Sequence, residues 1–359
     1  MVEHVAVLGG GLAGASAALR LARAGIRVEL FERHAGPHHK VCGEFLSVEA
    51  QSDLRDTGLD PMHLGAVPID RVRIVRGTKN VTSRLPFIAL GISREILDEA
   101  LLDAAGKAGA EVRRGVKVIA MGPEGIETSE GSCRPQTVFL ATGKHDLRGA
   151  KRPDAGAGAS YIGFKLHWRI SAAQDAELGR AIELLLFEGG YVGLQRIGSR
   201  LMNFCALVRR DRFGGSWSGL LAALAREPHV ARRLEGASEA FDRPVSIAGL
   251  PYGHVHRPEQ DRDGLFRLGD QAALTAPLTG DGMAIALRSA ALAAECYRRG
   301  LGSADYTCRL NRAIAGQVRR AMLLHRLVDL PVLPVALRLL GIYPSLLGRL
   351  AAATRLESA

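Results

Sequence analysis

The stretch VAVLGGGLAGASAALRLARAGIRVELFER, residues 5–33, constrains this chain more than any other. The apolar run His4–Leu8 leads into Gly9, Gly11 and Gly14 in G-x-G-x-x-G spacing. A short apolar run that ends in glycine reads as a buried parallel strand. Each glycine then has its own reason: a tight bend at Gly9, close approach of a pyrophosphate at Gly11, and close helix–strand packing at Gly14. A helix is expected over residues 15–24, with Ala18, Leu21 and Ala22 on its inner face and Gly25 ending it. Residues 26–31, IRVELF, form the next strand, and Glu32 stands at its end. A carboxylate there accepts hydrogen bonds from both hydroxyls of an adenosine ribose. It also repels a 2′-phosphate, which disfavours NADP at this site. A glycine triplet alone is weak evidence, but strand, turn, helix, strand and acid in register specify a dinucleotide site. Ala13 and Arg33 join the expected contacts.

At 359 residues the chain can bury one large core or two smaller ones. The net charge of +10 raises the question of nucleic acid. The arginines are dispersed, however, and two tryptophans and ten phenylalanines provide no basic–aromatic interleaving, so no nucleic-acid partner is expected. Five scattered cysteines without a C-x-x-C pair argue against a disulfide framework or a zinc site. His34, His38 and His39 read as a solvated loop, and no metal is expected. The chain opens on a strand pattern with no leader and has no long uncharged apolar run, so a cytoplasmic protein is expected.

Three distant segments and one nearby add to the first motif. GISREILDEALLDAAGKAGAEVRRGVKVIAM, residues 91–121, puts Leu97, Leu101, Leu102 and Ala105 on one helical face, stops at Gly109, and continues in strands around Val112 and Val118. TVFLATGKHDLRG, residues 137–149, is a strand ending in Ala141, Thr142 and Gly143. GLFRLGDQAALTAPLTGDGMAIALRSAALAAE, residues 264–295, is a strand ending at Gly269 and Asp270, then Pro277 and the triplet Gly280, Asp281, Gly282, then a helix to about Tyr297. Asp281 reads as the N-cap of that helix. KVCGEFLS, residues 40–47, follows the second strand closely.

Together these segments resemble the FAD-dependent oxidoreductases with the p-hydroxybenzoate hydroxylase fold, and within them the geranylgeranyl reductase-like branch. The resemblance implies an α/β fold. A Rossmann-like FAD-binding domain of the GR2 type would carry an inserted antiparallel-sheet substrate domain and a helical C-terminal segment. The implied boundaries are 1–75, 91–155 and 256–300 for the FAD-binding domain, 76–90 and 156–255 for the substrate domain, and 301–359 for a helical cap. Arg94 would contact FAD, the Val118 backbone would meet the adenine, and Ala141, Thr142 and Gly143 would close over the diphosphate. Asp270 would hydrogen-bond a ribityl hydroxyl. Pro277, Gly280, Gly282 and Met283 would bring a helix N-terminus, worth roughly half a positive charge, to the flavin N1 and C2 carbonyl. Lys40, Cys42, Gly43 and Glu44 match the branch's segment beside the flavin ring.

Reducing an alkene needs hydride on one carbon and a proton on the other. Cys42 or Glu44 would supply or relay that proton; Cys42 as a small buried hydrophobe and Glu44 as a structural acceptor are the competing readings. Residues 182–208 read as two or three strands in which Gly189, Gly190 and Gly193 bracket Tyr191. Tyr191, a third catalytic candidate, and Phe204 would line the substrate pocket. His254, alternating with His256, would flank the flavin and join the substrate contacts. Three departures limit the resemblance. Gly193 stands where the archaeal reductases carry a tryptophan. No Asp-Gly pair occurs near His145, Asp146 and Arg148. Trp168 and Trp217 cannot form the W-x-W-x-I motif of flavin halogenases. No second glycine fingerprint exists for a nicotinamide domain, and NADH or NADPH are the candidate donors.

From Arg298 to Leu350 the chain carries nine arginines and only the acids Asp305 and Asp329. This apolar, basic tail, with Pro331, Pro334 and Pro344 breaking it into short helices, reads as a helical cap or as a peripheral membrane contact admitting a hydrophobic substrate. The expected function is FAD-dependent oxidation or reduction of a polyketide or isoprenoid, with C=C reduction first. Hydroxylation through a C4a-hydroperoxide is the alternative, and a non-catalytic flavin-binding protein the second. Oligomeric state is left open.

Overall fold

The computed structural model describes residues 4–152, 161–260, 262–328, 339, 340 and 342–355. Its first layer is a five-stranded parallel sheet in the order Leu265–Arg267, Thr137–Leu140, His4–Leu8, Arg27–Glu32, Glu111–Arg114. The central strand is buried on both faces, as its unbroken apolar run requires. Helices Leu12–Arg23, Arg94–Lys107 and Gly282–Arg298 cover one face through a core of alanine, leucine and valine. The three-stranded sheet Val118–Gly122, Gly125–Thr128, Gly131–Cys133 lies over the other, packing Ile126 against Leu8, Phe31 and Leu140.

The second unit is a nine-stranded sheet. Tyr161–Arg169, Leu201–Arg209, Gly190–Gly198 and Ala181–Phe187 run antiparallel, and so do Val67–Arg76 and Lys79–Gly91. The resemblance implies an antiparallel substrate sheet, which these pairs form. Its two halves join through one parallel pair, Ala181–Phe187 against Val67–Arg76. The chain leaves the sheet at Gly91 and returns to it only at Tyr161, so no hairpin links the halves.

Period-two alternation gives the sheet two different faces. Phe164, Leu166, Trp168, Val192, Leu194, Met202, Phe204 and Ala206 point away from the parallel unit, into a core closed by helices Trp217–Leu224 and Pro228–Leu234. Phe204, expected at the substrate, is therefore fully buried on the wrong face. The opposite face carries Lys165, His167, Tyr191, Gly193, Gln195, Asn203 and Cys205. Lys165 pairs with Cys205, His167 with Asn203, and Gly193 with Cys205 in the register. Helices Ser303–Val328 and Ser345–Ala353 close the chain's end. Pro331 and Pro334 lie outside the described residues.

Candidate active site

A cavity of about 1340 Å³ runs between the parallel unit and the large sheet. That exceeds the space a drug-sized ligand fills. It begins at the glycine turn. A Cβ on Gly14 would stand 1.8 Å from the Gly9 carbonyl oxygen, so nothing larger than glycine allows the helix to start this close to the strand. Gly14 thus stands behind the turn, while Gly9, Gly11 and Ala13 face the cavity. A Cβ on Gly11 would approach only the Lys40 Nζ at 3.2 Å and an Arg94 guanidinium nitrogen at 3.6 Å. The helix N-terminus, with no acid in its first turn, and two cations therefore flank open ground. Asp98 holds both cations: Lys40 donates to it at 2.8 Å, and Arg94 donates twice, at 2.9 and 3.0 Å. One net positive charge remains for an anion, which fits a pyrophosphate.

Glu32 is buried at the strand end, and its carboxylate accepts from the backbone N–H of Gly10 at 2.8 Å and of His34 at 2.9 Å. Burial opposes its ionisation. The two N–H groups and Lys40 outweigh burial and hold it below the usual carboxylate range. Glu32, His34 and His38 offer ligand atoms within 4.8 Å of one another; the carboxylate oxygens are already engaged by those two amides. Arg33 is exposed at the cavity edge, beside His145.

Two remote loops complete this end. Gln271 donates to the carbonyls of Gly143 at 2.7 Å and His145 at 3.1 Å, and Arg152 donates to the Asp270 carbonyl at 3.0 Å. A Cβ on Gly269 would meet the Ala13 side chain at 3.2 Å, so the Asp270 turn lies against the glycine turn. Ala141, Thr142, Gly143, Val118, Asp270, Pro277, Gly280, Gly282 and Met283 all line the cavity. Gly280, at φ +74°, has Phe45 where a Cβ would sit, 2.6 Å away. Asp281 occupies the N-cap position but does not cap. Its backbone is helical, and its carboxylate is committed to Thr279 Oγ1 and to Arg355 at 2.7 Å.

The loop around Cys42 is held from the large sheet. Asn203 donates to the carbonyls of Gly43 at 2.8 Å and Cys42 at 3.2 Å, and Gln195 donates to the Glu44 carbonyl at 2.7 Å. Glu44, at φ +58°, is wholly buried. Its carboxylate accepts from the Arg94 backbone N–H at 2.7 Å and from Lys165, and contacts His167 Nε2 at 2.7 Å. Burial alone would raise its pKa; Lys165 and His167 overcome that and bring it to about 2. With its carboxylate engaged by the Arg94 N–H, Lys165 and His167, Glu44 ties the loop to the large sheet, the structural-acceptor role that competes with proton relay. Cys42, half-buried at the cavity wall, accepts from the Glu44 N–H through Sγ at 3.3 Å.

Beyond Cys42 the lining turns apolar: Ile74, Leu85, Phe87, Ile182, Leu184, Leu186 and Leu207 from the sheet, and Leu324, Leu327, Leu347 and Leu350 from the terminal helices. Tyr191 and Tyr252 are the hydroxyl-bearing tyrosines of this chamber. The Tyr191 hydroxyl is buried with no hydrogen-bond partner among the described residues. Burial pushes its pKa well above 10, and that of Cys205 up to about 12. His254, expected beside the flavin and the substrate, is not among the residues that line the cavity. It sits on the two-residue strand His254–Val255, which pairs with Ala273–Leu274, and its ring faces His256 at 6.4 Å. Sequence reasoning missed Lys165, His167, Gln195, Asn203 and Cys205. The signal was polar residues alternating with apolar ones in YIGFKLHWR and LMNFCALV, a sheet face too polar for an ordinary core.

Residues 3–146 match the FAD binding domain family. The Mycobacterium tuberculosis protein named menaquinone reductase is 26% identical over 316 residues, covering 81% of this chain and 75% of that one. The solved structure of the flavin-dependent brominase Bmp2 superposes with a TM-score of 0.79 at 17% identity, covering 98% of this chain and 94% of that one. A flavoprotein/dehydrogenase from Cytophaga hutchinsonii superposes with a TM-score of 0.73 at 19% identity, covering 93% and 88%. The two structures share this chain's fold, and FAD is the cofactor that fits the glycine turn, Glu32 and the Asp270 loop.

Proposed function

We propose that this chain, an FAD-dependent oxidoreductase, reduces a carbon–carbon double bond in a long apolar substrate of the isoprenoid class. The observation that carries the reading is the continuity of the cavity, from a cationic glycine turn to a chamber walled by aliphatic side chains. Each methylene taken into such a chamber contributes ~0.8 kcal/mol, so a prenyl chain needs no charged anchor. Similarity to a protein named for menaquinone, a quinone with a prenyl chain, supports the same class.

Lys40, Arg94 and the Leu12–Arg23 N-terminus would hold the pyrophosphate, Glu32 the ribose, and Asp270 the ribityl chain. Reduced FAD bound there supplies hydride equivalents. Cys42 and Tyr191 are the candidate proton donors, since both face the cavity and Tyr191 stays protonated across the ordinary pH range. Buried Glu44, Lys165 and His167 hold Cys42 in register. NADH or NADPH would supply electrons.

The test is incubation of the yellow protein with NADH or NADPH and prenylated quinones, with and without oxygen, followed by reoxidation of any quinol in air and mass spectrometry, so that only saturation of a carbon–carbon bond keeps the added hydrogens. A gain of two mass units without oxygen supports reduction. A gain of sixteen that requires oxygen replaces it with hydroxylation.

A further inference from the structure

We infer that the outer face of the two terminal helices docks on an anionic phospholipid bilayer, with the mouth of the cavity turned toward the lipid. On helix Ser303–Val328, Arg319, Leu323, Arg326 and Leu327 lie three or four positions apart and so share one face. That face points to solvent: Leu323 is 61% exposed and Leu327 39%. The following segment exposes Leu339 by 52%, Ile342 by 66% and Tyr343 by 59%. Helix Ser345–Ala353 adds Leu346 and Leu350, one turn apart and about two-fifths exposed. Large aliphatic side chains rarely gather in water without a partner surface.

Charge selects the partner. Among the described residues, Arg319, Arg326 and Arg349 are exposed and have no ion-pair or hydrogen-bond partner. The described part of residues 303–355 contains a single acid, Asp305, at the far end of its helix. Arginines beside exposed leucines suit a headgroup layer over acyl chains. No described helix is long and apolar enough to cross a membrane, so the contact is interfacial.

The cavity supplies the second argument. Leu327 and Leu350 belong both to the exposed face and to the cavity lining. The apolar chamber therefore opens where the apolar surface is, and a lipid-dissolved substrate reaches it without crossing water. This deepens the proposed function, but docking can be read without turnover.

Co-sedimentation of the flavin-loaded protein with vesicles tests it. Binding is expected to mixed phosphatidylglycerol–phosphatidylcholine vesicles and to be much weaker to phosphatidylcholine alone. Arg319→Gln with Arg326→Gln should weaken binding about thirtyfold, the loss expected for two arginines at an anionic surface. Leu323→Asp with Ile342→Asp should abolish it while flavin absorbance and thermal unfolding stay unchanged. No binding to anionic vesicles, or equal binding by the variants, overturns the inference. So does a concentration-dependent dimer that the Leu323→Asp, Ile342→Asp variant loses, because a second copy would then cover the face. Failure of substrate reduction with vesicle binding intact counts against the proposed function alone.

Discussion

Lys165 and Glu44 meet where neither side chain touches solvent, one from a strand of the large sheet and the other from the loop that carries Cys42. The pair ties the large sheet to the loop beside the cavity. Removing one partner of such a pair leaves the other charge buried and uncompensated.

Glu44→Gln should therefore destabilise the protein by about 3–5 kcal/mol, read as a lower denaturant midpoint. Replacing the exposed Glu124, whose Arg134 contact is solvated, should change it by less than about 1 kcal/mol. Equal effects would remove Glu44 from its positioning role.

Stability should fall in acid. Glu44 and Glu183 both sit at about 2 against an ordinary 4.5: burial would raise each, but Lys165 and His167 prevail for one, and His229 and Arg233 for the other. A lowered folded pKa contributes stability above pH 4.5 that is lost as pH falls toward 2. Asp281 has the opposite sign, raised from 3.8 to about 6 because burial outweighs Arg355. Its contribution is present below pH 3.8 and is lost as pH rises through 6. Denaturant midpoints against pH should show Asp281→Asn flattening the region from pH 4 to 7 and leaving the acid limb intact.

The glycine turn separates folding from cofactor binding. Gly14→Ala places a Cβ against the Gly9 carbonyl and should yield little folded protein. Gly11→Ala meets only flexible cations and should fold, yet lose FAD on gel filtration. Glu32→Ala should weaken FAD at least about tenfold, and Cys42→Ala should keep its colour. Equal flavin loss in the last two would undo the assigned roles.

Tyr191→Phe removes a hydroxyl without changing the cavity's shape. If Tyr191 delivers the proton, turnover should drop by about 10² while flavin content and the rate of flavin reduction by NADH or NADPH hold. A change confined to KM would make it a substrate contact instead. A basic limb in the pH–rate profile below pH 10 would contradict its raised pKa.

The parallel unit was legible because its signals are local. His4–Leu8, the glycine spacing and Glu32 lie within one strand–helix–strand stretch, and each residue type answers a backbone requirement there. The Asp270 turn and the Gly282–Arg298 helix could be read the same way. Phe204 and His254 could not, because a strand's alternation says that two faces exist but not which one meets the cofactor.

The amino-acid sequence by itself determined the nucleotide-binding strand–turn–helix and the remote turns that complete it, since glycine spacing and strand ends act within a few residues. Tertiary structure alone decided that Lys165, His167, Gln195 and Asn203 converge on the Cys42 loop, that Asp281 binds Arg355 instead of capping its helix, and that Phe204 turns to the far core. The sheet residues depend on which face packs against the parallel unit, and Asp281 depends on where the C-terminal helix returns; both are settled by contacts between residues far apart in the chain.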